Sequence, residues 1–167
     1  MIYRKPKKED AANMLQYLKR IGGESDNLTF GAEGLPFTIK QEEEYLDKLT
    51  APCIIAVEDD GTIVGDGSLE LGVRRISHSA ELGISVCKAY WGKGVGSTIM
   101  NMLIQEAKDR GITKINLKVR ADNERAKALY KKFGFVKEGY TTRMLKVGDE
   151  YFDGELWGLM LYKMGVL

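Results

Sequence analysis

Glu81-Leu82-Gly83-Ile84-Ser85-Val86, followed closely by Tyr90-Trp91-Gly92-Lys93-Gly94-Val95-Gly96-Ser97, is the stretch on which the fold turns. A short apolar strand runs into three alternating glycines, Gly92, Gly94 and Gly96, and helical spacing begins behind them. Glycine serves where a backbone must turn sharply or approach a ligand with no Cβ in the way. A helix opening on such a turn presents unpaired N–H groups and the positive end of its dipole, both suited to phosphate oxygens. The segment therefore reads as a phosphate cradle at a strand-to-helix junction. A glycine-rich turn with no ligand is the plainer alternative.

Spacing separates the phosphate binders that share this physics. A nucleotide-hydrolase loop needs G-x-x-x-x-G-K-[ST], but Lys93 is followed by Gly94, with no hydroxyl to hold magnesium. A dinucleotide fold needs G-x-G-x-x-G, and the last position after Gly92 and Gly94 falls on Ser97. Neither pattern fits.

Downstream lies Asn123-Glu124-Arg125-Ala126-Lys127-Ala128-Leu129-Tyr130-Lys131-Lys132-Phe133-Gly134-Phe135. The glycine bend after a strand, then N-x-x-A-x-x-L-Y-x-x-x-G-F, resembles the GNAT superfamily of acyl-CoA-dependent N-acyltransferases. The order of strands and helices on either side also fits, so the resemblance covers most of the chain. One departure is Trp91, where many members carry Gln or Arg; that position contributes mainly a backbone group.

Length and composition bound the answer further. A chain of 167 residues is one domain's worth, and a single domain over 1–167 is expected. Hydrophobic content of 44% with 29% charged residues belongs to a soluble globular protein. The net charge of +1 argues against a nucleic-acid partner held by backbone electrostatics. No apolar run reaches bilayer-spanning length and Met1–Arg4 starts no signal peptide, so no membrane partner and a cytoplasmic location are expected. Cys53 and Cys87 sit in apolar strand contexts and read as buried free thiols. His78, the only histidine, falls in a polar connection, and no cluster suggests a metal.

Periodicity lays out an α/β chain. Residues 2–4 make a first strand, and Ala11, Met14, Leu15, Leu18 and Ile21 fall on one helical stripe that Gly22-Gly23 should stop. Residues 24–37 read as an irregular connection with some helical turns. Thr38 and Gln41 have capping-box spacing ahead of a short helix over Tyr45, Leu46 and Leu49. A hairpin follows, 53–58 and 62–73 about Asp59-Asp60-Gly61, then a strand over Ser79–Val86. Val95, Ile99, Met102, Leu103 and Ala107 stripe the helix behind the glycines. A strand over Lys114–Arg120, a helix over 124–133 with Ala126, Leu129 and Phe133 inward, and strands over 136–145 and 155–162 about a loop at 146–154 complete the chain. The result is a single mixed, largely antiparallel sheet with helices on both faces. The apolar run 156–161 is the candidate sheet edge for a homodimer.

The resemblance implies the chemistry. Acyl transfer needs a grip on the donor, polarisation of its carbonyl, a neutral amine and a proton for the departing sulfur. The grip on acetyl-CoA, the co-substrate, falls to Gly92, Lys93, Gly94, Val95, Gly96 and Ser97. Backbone groups at Ile84, Ser85 and Val86 are implied to meet the acyl arm where the Ser79–Val86 strand splays from its parallel neighbour over Lys114–Arg120. Asn123 and Lys127 are implied to touch the cofactor, Asn123 also reading as a helix cap. Tyr130 matches the family's proton donor and also borders the cofactor. Glu81 is the candidate base, reached through water. The acceptor is an amine of a small molecule or a peptide; acids at 24, 26, 33, 149, 150 and 153 either favour a cationic amine or are solvated surface. A catalytically inactive acyl-CoA sensor is the alternative reading.

Overall fold

The computed structural model describes residues 1–162. In chain order these form β1 (Ile2–Arg4), α1 (Ala11–Glu24), α2 (Ile39–Lys48), β2 (Cys53–Val57), β3 (Ile63–Leu71) and β4 (Ser79–Val86). Then come α3 (Val95–Asp109), β5 (Lys114–Arg120), α4 (Glu124–Lys132), β6 (Val136–Val147) and β7 (Glu150–Met160). Hydrogen-bonded neighbours in the seven-stranded sheet run β1-β2-β3-β4-β5-β7-β6. The pairings β1–β2, β2–β3, β5–β7 and β7–β6 are antiparallel, and β4 pairs with β5 in parallel. The chain divides into two compact units, residues 1–69 with 83–104 and residues 70–82 with 105 onward, so β3, β4 and α3 each run through both.

In the first unit, all five residues of β2 are buried because both faces of the sheet are covered. Ile55 and Val57 pack with Met14, Tyr17 and Ile21 of α1, together with Ile63 and Cys87. On the opposite face Gly65 and Gly67 let α3 lie close. A Cβ at 65 would stand 2.9 Å from Val95 Cγ1, and one at 67 would stand 2.5 Å from Ile99 Cγ2. Helices thus cover both faces, as the apolar periodicity requires. The Thr38–Gln41 capping box forms as expected, with Gln41 N donating to Thr38 Oγ1 and Thr38 N to Gln41 Oε1. One boundary differs. Gly22 and Gly23 do not stop α1, which continues to Glu24. A Cβ on Gly22 would fall 1.9 Å from the Gly31 carbonyl oxygen, so the glycine is there for close passage of the 25–37 connection. That connection contains turns and bends but no helix.

In the second unit β4 and β5 run parallel, with Ser79 opposite Lys114 and Glu81 opposite Asn116. The parallel register ends there, whereas β5 stays paired with β7 through Arg120. Two expectations need correction. The loop expected at 146–154 is almost all strand, since β6 runs to Val147 and β7 starts at Glu150, leaving Gly148 (φ 59°) and Asp149 as the turn. Cross-strand packing is the reason: the Arg120 guanidinium lies 3.6 Å from the centre of the Phe152 ring, and Arg143 lies 4.3 Å from that of Tyr151. Secondly, β7 is no edge. It pairs with β5 through Met160 on one side and with β6 through Gly158 on the other, so it lies inside the sheet and not at its edge. On α4 the buried residues are Lys127 and Tyr130, not the expected stripe of Ala126, Leu129 and Phe133.

Candidate active site

The first unit carries the bend. Gly92 (φ 72°) and Gly94 (φ 83°) both adopt the left-handed backbone that L side chains disfavour. A Cβ at either position would meet nothing within 4 Å, so conformation rather than space demands glycine. Thr98 N and Oγ1 both donate to the Gly94 carbonyl at 3.0 Å, closing the first turn of α3. The first N–H groups of a helix have no intrahelical carbonyl to bond, and α3 opens at Val95 directly behind the two glycines. No acidic residue occupies this first turn. The result is a short arc of amide donors at the positive end of a fifteen-residue helix.

Side chains fix the approach to this bend. Trp91 Nε1 donates to the Val86 carbonyl at 2.8 Å, which gives the unusual tryptophan a holding role. Lys88 N donates to Glu24 Oε2 at 2.7 Å, so this acid ties the end of α1 to the bend. The Lys93 ammonium sits 5.3 Å from the centre of the Tyr90 ring, which keeps a positive charge beside the glycines. The buried Tyr17 hydroxyl donates to the Ser85 carbonyl at 2.9 Å and shares a 2.7 Å hydrogen bond with Ser85 Oγ. Ile84, Ser85 and Val86 are half-buried.

The second unit carries the other expected residues. Glu81 is exposed, and its carboxylate lies 3.6 Å from the Lys118 ammonium. Asn123 Oδ1 accepts from Ala126 N at 3.2 Å, capping α4 as its spacing suggested. Lys127 is buried, and its ammonium reaches the Ala121 carbonyl (2.6 Å), Glu124 (2.8 Å) and Glu155 (3.5 Å). Its three donors are thereby committed to holding the turn that carries Asn123. Tyr130 is buried against Phe135, ring centres 5.8 Å apart, and its hydroxyl has no hydrogen-bond partner among the described residues. Burial pushes this phenol up to about 12, against the opposing pull of the Arg125 charge.

Other candidates from the sequence have structural occupations. Asp153 accepts from the Tyr140 hydroxyl at 2.5 Å and from Arg143 N at 2.9 Å, bracing the irregular part of β6. His78 is exposed and its carbonyl receives Thr113 N at 2.8 Å. Cys53 and Cys87 are free and buried, as expected. Among the described residues no group of three or more His, Cys, Asp and Glu side chains could hold a metal, and no helix is long and apolar enough to cross a membrane.

Three polar residues escaped the sequence reading: Tyr17, Glu42 and Asp66. Tyr17 falls three and four residues from Met14 and Ile21, a helical interval that marked it as inward. Asp66 interrupts the apolar run Ile63-Val64-Gly65-Asp66-Gly67, and an acid in such a strand was the visible signal. Burial pushes the Asp66 carboxyl up to about 6. The sign matters for stability. A carboxyl raised above its usual ~3.9 contributes stability at low pH that is lost as pH rises through about 6.

The Acetyltransferase (GNAT) family model matches residues 24–135, from the end of α1 to just past α4. The chain belongs to this family. Its glycine bend and α4 both lie inside the matched stretch. A GNAT-family acetyltransferase from Streptococcus pneumoniae superposes with a TM-score of 0.90 at 28% identity, covering 96% of this chain and 99% of that one. The Salmonella typhimurium protein yncA, solved with its cofactor acetyl-CoA, superposes at 0.83 with 17% identity over 100% of this chain and 97% of its own, a likeness of fold alone. In sequence the chain is similar to the L-amino acid N-acetyltransferase AaaT of Escherichia coli (strain K12), 34% identical over 96 residues. That match takes in 56% of this chain and 59% of the relative, so the chain spans little more than half of its curated relative's length. As in its GNAT relatives, the sheet is mixed and mostly antiparallel.

Proposed function

We propose that the protein is an N-acetyltransferase that moves the acetyl group of acetyl-CoA to a primary amine of a small molecule or a protein N-terminus by direct attack. One observation carries this reading: the α3 N-terminus is left without a side-chain acid while two left-handed glycines shape the bend before it. The amides from Gly92 to Ser97 receive the diphosphate of the co-substrate, with Lys93 adding charge beside them. Backbone groups of Ile84, Ser85 and Val86 orient the thioester arm, on a strand end that Tyr17 and Trp91 hold in place. Asn123 borders the same co-substrate, and Lys127 supports it indirectly by fixing the Ala121–Asn123 turn.

The acceptor nitrogen attacks the acetyl carbonyl carbon, a C–N bond forms, and the C–S bond breaks. The proton lost from nitrogen passes through water to Glu81, and sulfur leaves with the C–S electron pair. Tyr130 meets that developing thiolate as a hydrogen-bond donor. Full transfer from a phenol near 12 to a thiol near 8.5 would be uphill by about 5 kcal/mol, so donation rather than ionisation is its contribution. The test is thiol release from acetyl-CoA across a panel of amines, with wild type and Tyr130→Phe compared. Amine-dependent release that falls in the variant supports the reading. Tight acetyl-CoA binding with no release on any amine would leave an acyl-CoA sensor instead.

A further inference from the structure

Tyr17 grips one peptide group of β4. It is 1% exposed and packs with Met14, Ile21, Ile55, Val57, Ile63 and Cys87, so its ring is held in place. Its hydroxyl donates to the Ser85 carbonyl at 2.9 Å and lies 2.7 Å from Ser85 Oγ. A phenol has a single proton to give. With that proton on the carbonyl, the 2.7 Å bond runs the other way, from the Ser85 hydroxyl to the phenol oxygen. Donation into the phenol oxygen sharpens its own O–H as a donor, the more so where water is excluded. Burial, reinforced by the Asp66 charge, pushes the phenol well above its usual value, so the proton stays on it at neutral pH.

The register of β4 against β3 decides what that proton does. Cys87 N donates to the Val64 carbonyl at 2.9 Å, and a Cβ on Gly83 would stand 3.9 Å from Ser68 Oγ. Cys87 thus lies opposite Val64 and Gly83 opposite Ser68, which sets Ser85 opposite Asp66. Backbone groups along an antiparallel ladder point alternately toward one neighbour and away from it. Residues 83, 85 and 87 turn toward β3, so the Val86 N–H turns away from it. That N–H belongs to the same planar peptide as the Ser85 carbonyl. A donor on the carbonyl draws electron density from nitrogen to oxygen, and the N–H becomes a stronger donor in turn. Trp91 offers a contrast. It polarises the Val86 carbonyl and hence the Cys87 N–H, which is already spent on Val64.

We infer that Tyr17 is a positioning residue for acetyl transfer: through the Ser85–Val86 peptide it fixes and strengthens the Val86 N–H as the donor that polarises the thioester carbonyl. This deepens the acetyl-transfer reading and rests on it. Negative charge that develops on the carbonyl oxygen during attack then meets a donor already aimed and already polarised. Tyr17 acts without touching the substrate, and its proton never leaves it.

The experiment grades the donor at position 17. It compares Tyr17→Phe, wild type, and a protein carrying fluorotyrosine there alone, a more acidic phenol of nearly equal size. kcat should rise in that order, with Tyr17→Phe about tenfold below wild type and acetyl-CoA Kd within about twofold throughout. The infrared carbonyl stretch of bound acetyl-CoA, isotope-labelled at that carbonyl, should be highest in Tyr17→Phe and lowest with fluorotyrosine. A kcat loss matched by an equal loss in Kd, a stretch that does not move, or fluorotyrosine behaving like phenylalanine overturns the inference and leaves Tyr17 a packing residue. Should Tyr17→Phe not fold, wild type against the fluorotyrosine protein decides by the same signs. If acetyl-CoA does not bind, acetyl transfer itself fails, and the free protein is read instead by the nitrogen resonance of the Val86 amide. A downfield progression from phenylalanine through tyrosine to fluorotyrosine upholds the polarised peptide, and an unmoved resonance overturns it.

Discussion

The first turns of α3 and α4 are the same structural element treated in opposite ways. At α4, Asn123 caps Ala126 N and Glu124 places a negative charge in the first turn, so the helix satisfies its own positive end. At α3 the corresponding place holds Gly94, which has no side chain to cap with, and the first turn holds no acid. Both helices begin on orphan amides. One is finished by its own side chains, whereas the other, on the proposed function, receives an anion. On the proposed function, the α3 start is marked by what its sequence withholds, an acid and a capping side chain, as much as by what it contains.

The most damaging way to break this contrast is Gly94→Val. A β-branched L residue at φ 83° costs about 1–2 kcal/mol in backbone strain, and the bend relaxes by turning its amides away. Affinity for acetyl-CoA, read by calorimetry, should fall by about 100-fold, roughly 2.7 kcal/mol. Next comes Tyr130→Phe, which tests whether α4 serves chemistry while α3 serves binding. Its kcat should fall by about 30-fold, close to 2 kcal/mol, with acetyl-CoA Kd within twofold. Equal losses in both would refute the division of labour.

Ser97→Asp gives α3 the kind of acid that α4 already has. Stability of the free protein should rise by a few tenths of a kcal/mol as the helix end is satisfied. Acetyl-CoA affinity should drop by about tenfold as the new charge opposes the diphosphate. An affinity that does not fall would mean that the diphosphate binds elsewhere. The smallest effect belongs to Asn123→Ala, which should lower unfolding free energy by about 1 kcal/mol in denaturant titration. Together the last two exchanges ask whether capping and binding compete for one set of amides.

Local patterns read correctly where the chain's own neighbours decide the structure. The limits of β4 and β5, the Thr38 capping box and the left-handed Gly92 and Gly94 all follow from short-range periodicity or backbone chemistry. The misreadings share another cause. Gly22-Gly23 looks like a helix stop until Gly31 is seen to press against it. Residues 146–154 look like a loop until Phe152 and Tyr151 find arginines on neighbouring strands. In each case a contact remote in sequence overrode a sound local preference.

Neither Gly92 nor Gly94 is crowded, yet neither admits an ordinary side chain without strain. What these two α-carbons exclude is a hand, not a volume. A chain assembled by chemical ligation with D-alanine at position 92 would satisfy the dihedral that L-alanine resists, and it would stiffen the turn besides. The mirror-image residue is thus the one substitution by which the grip of this bend could be separated from its looseness.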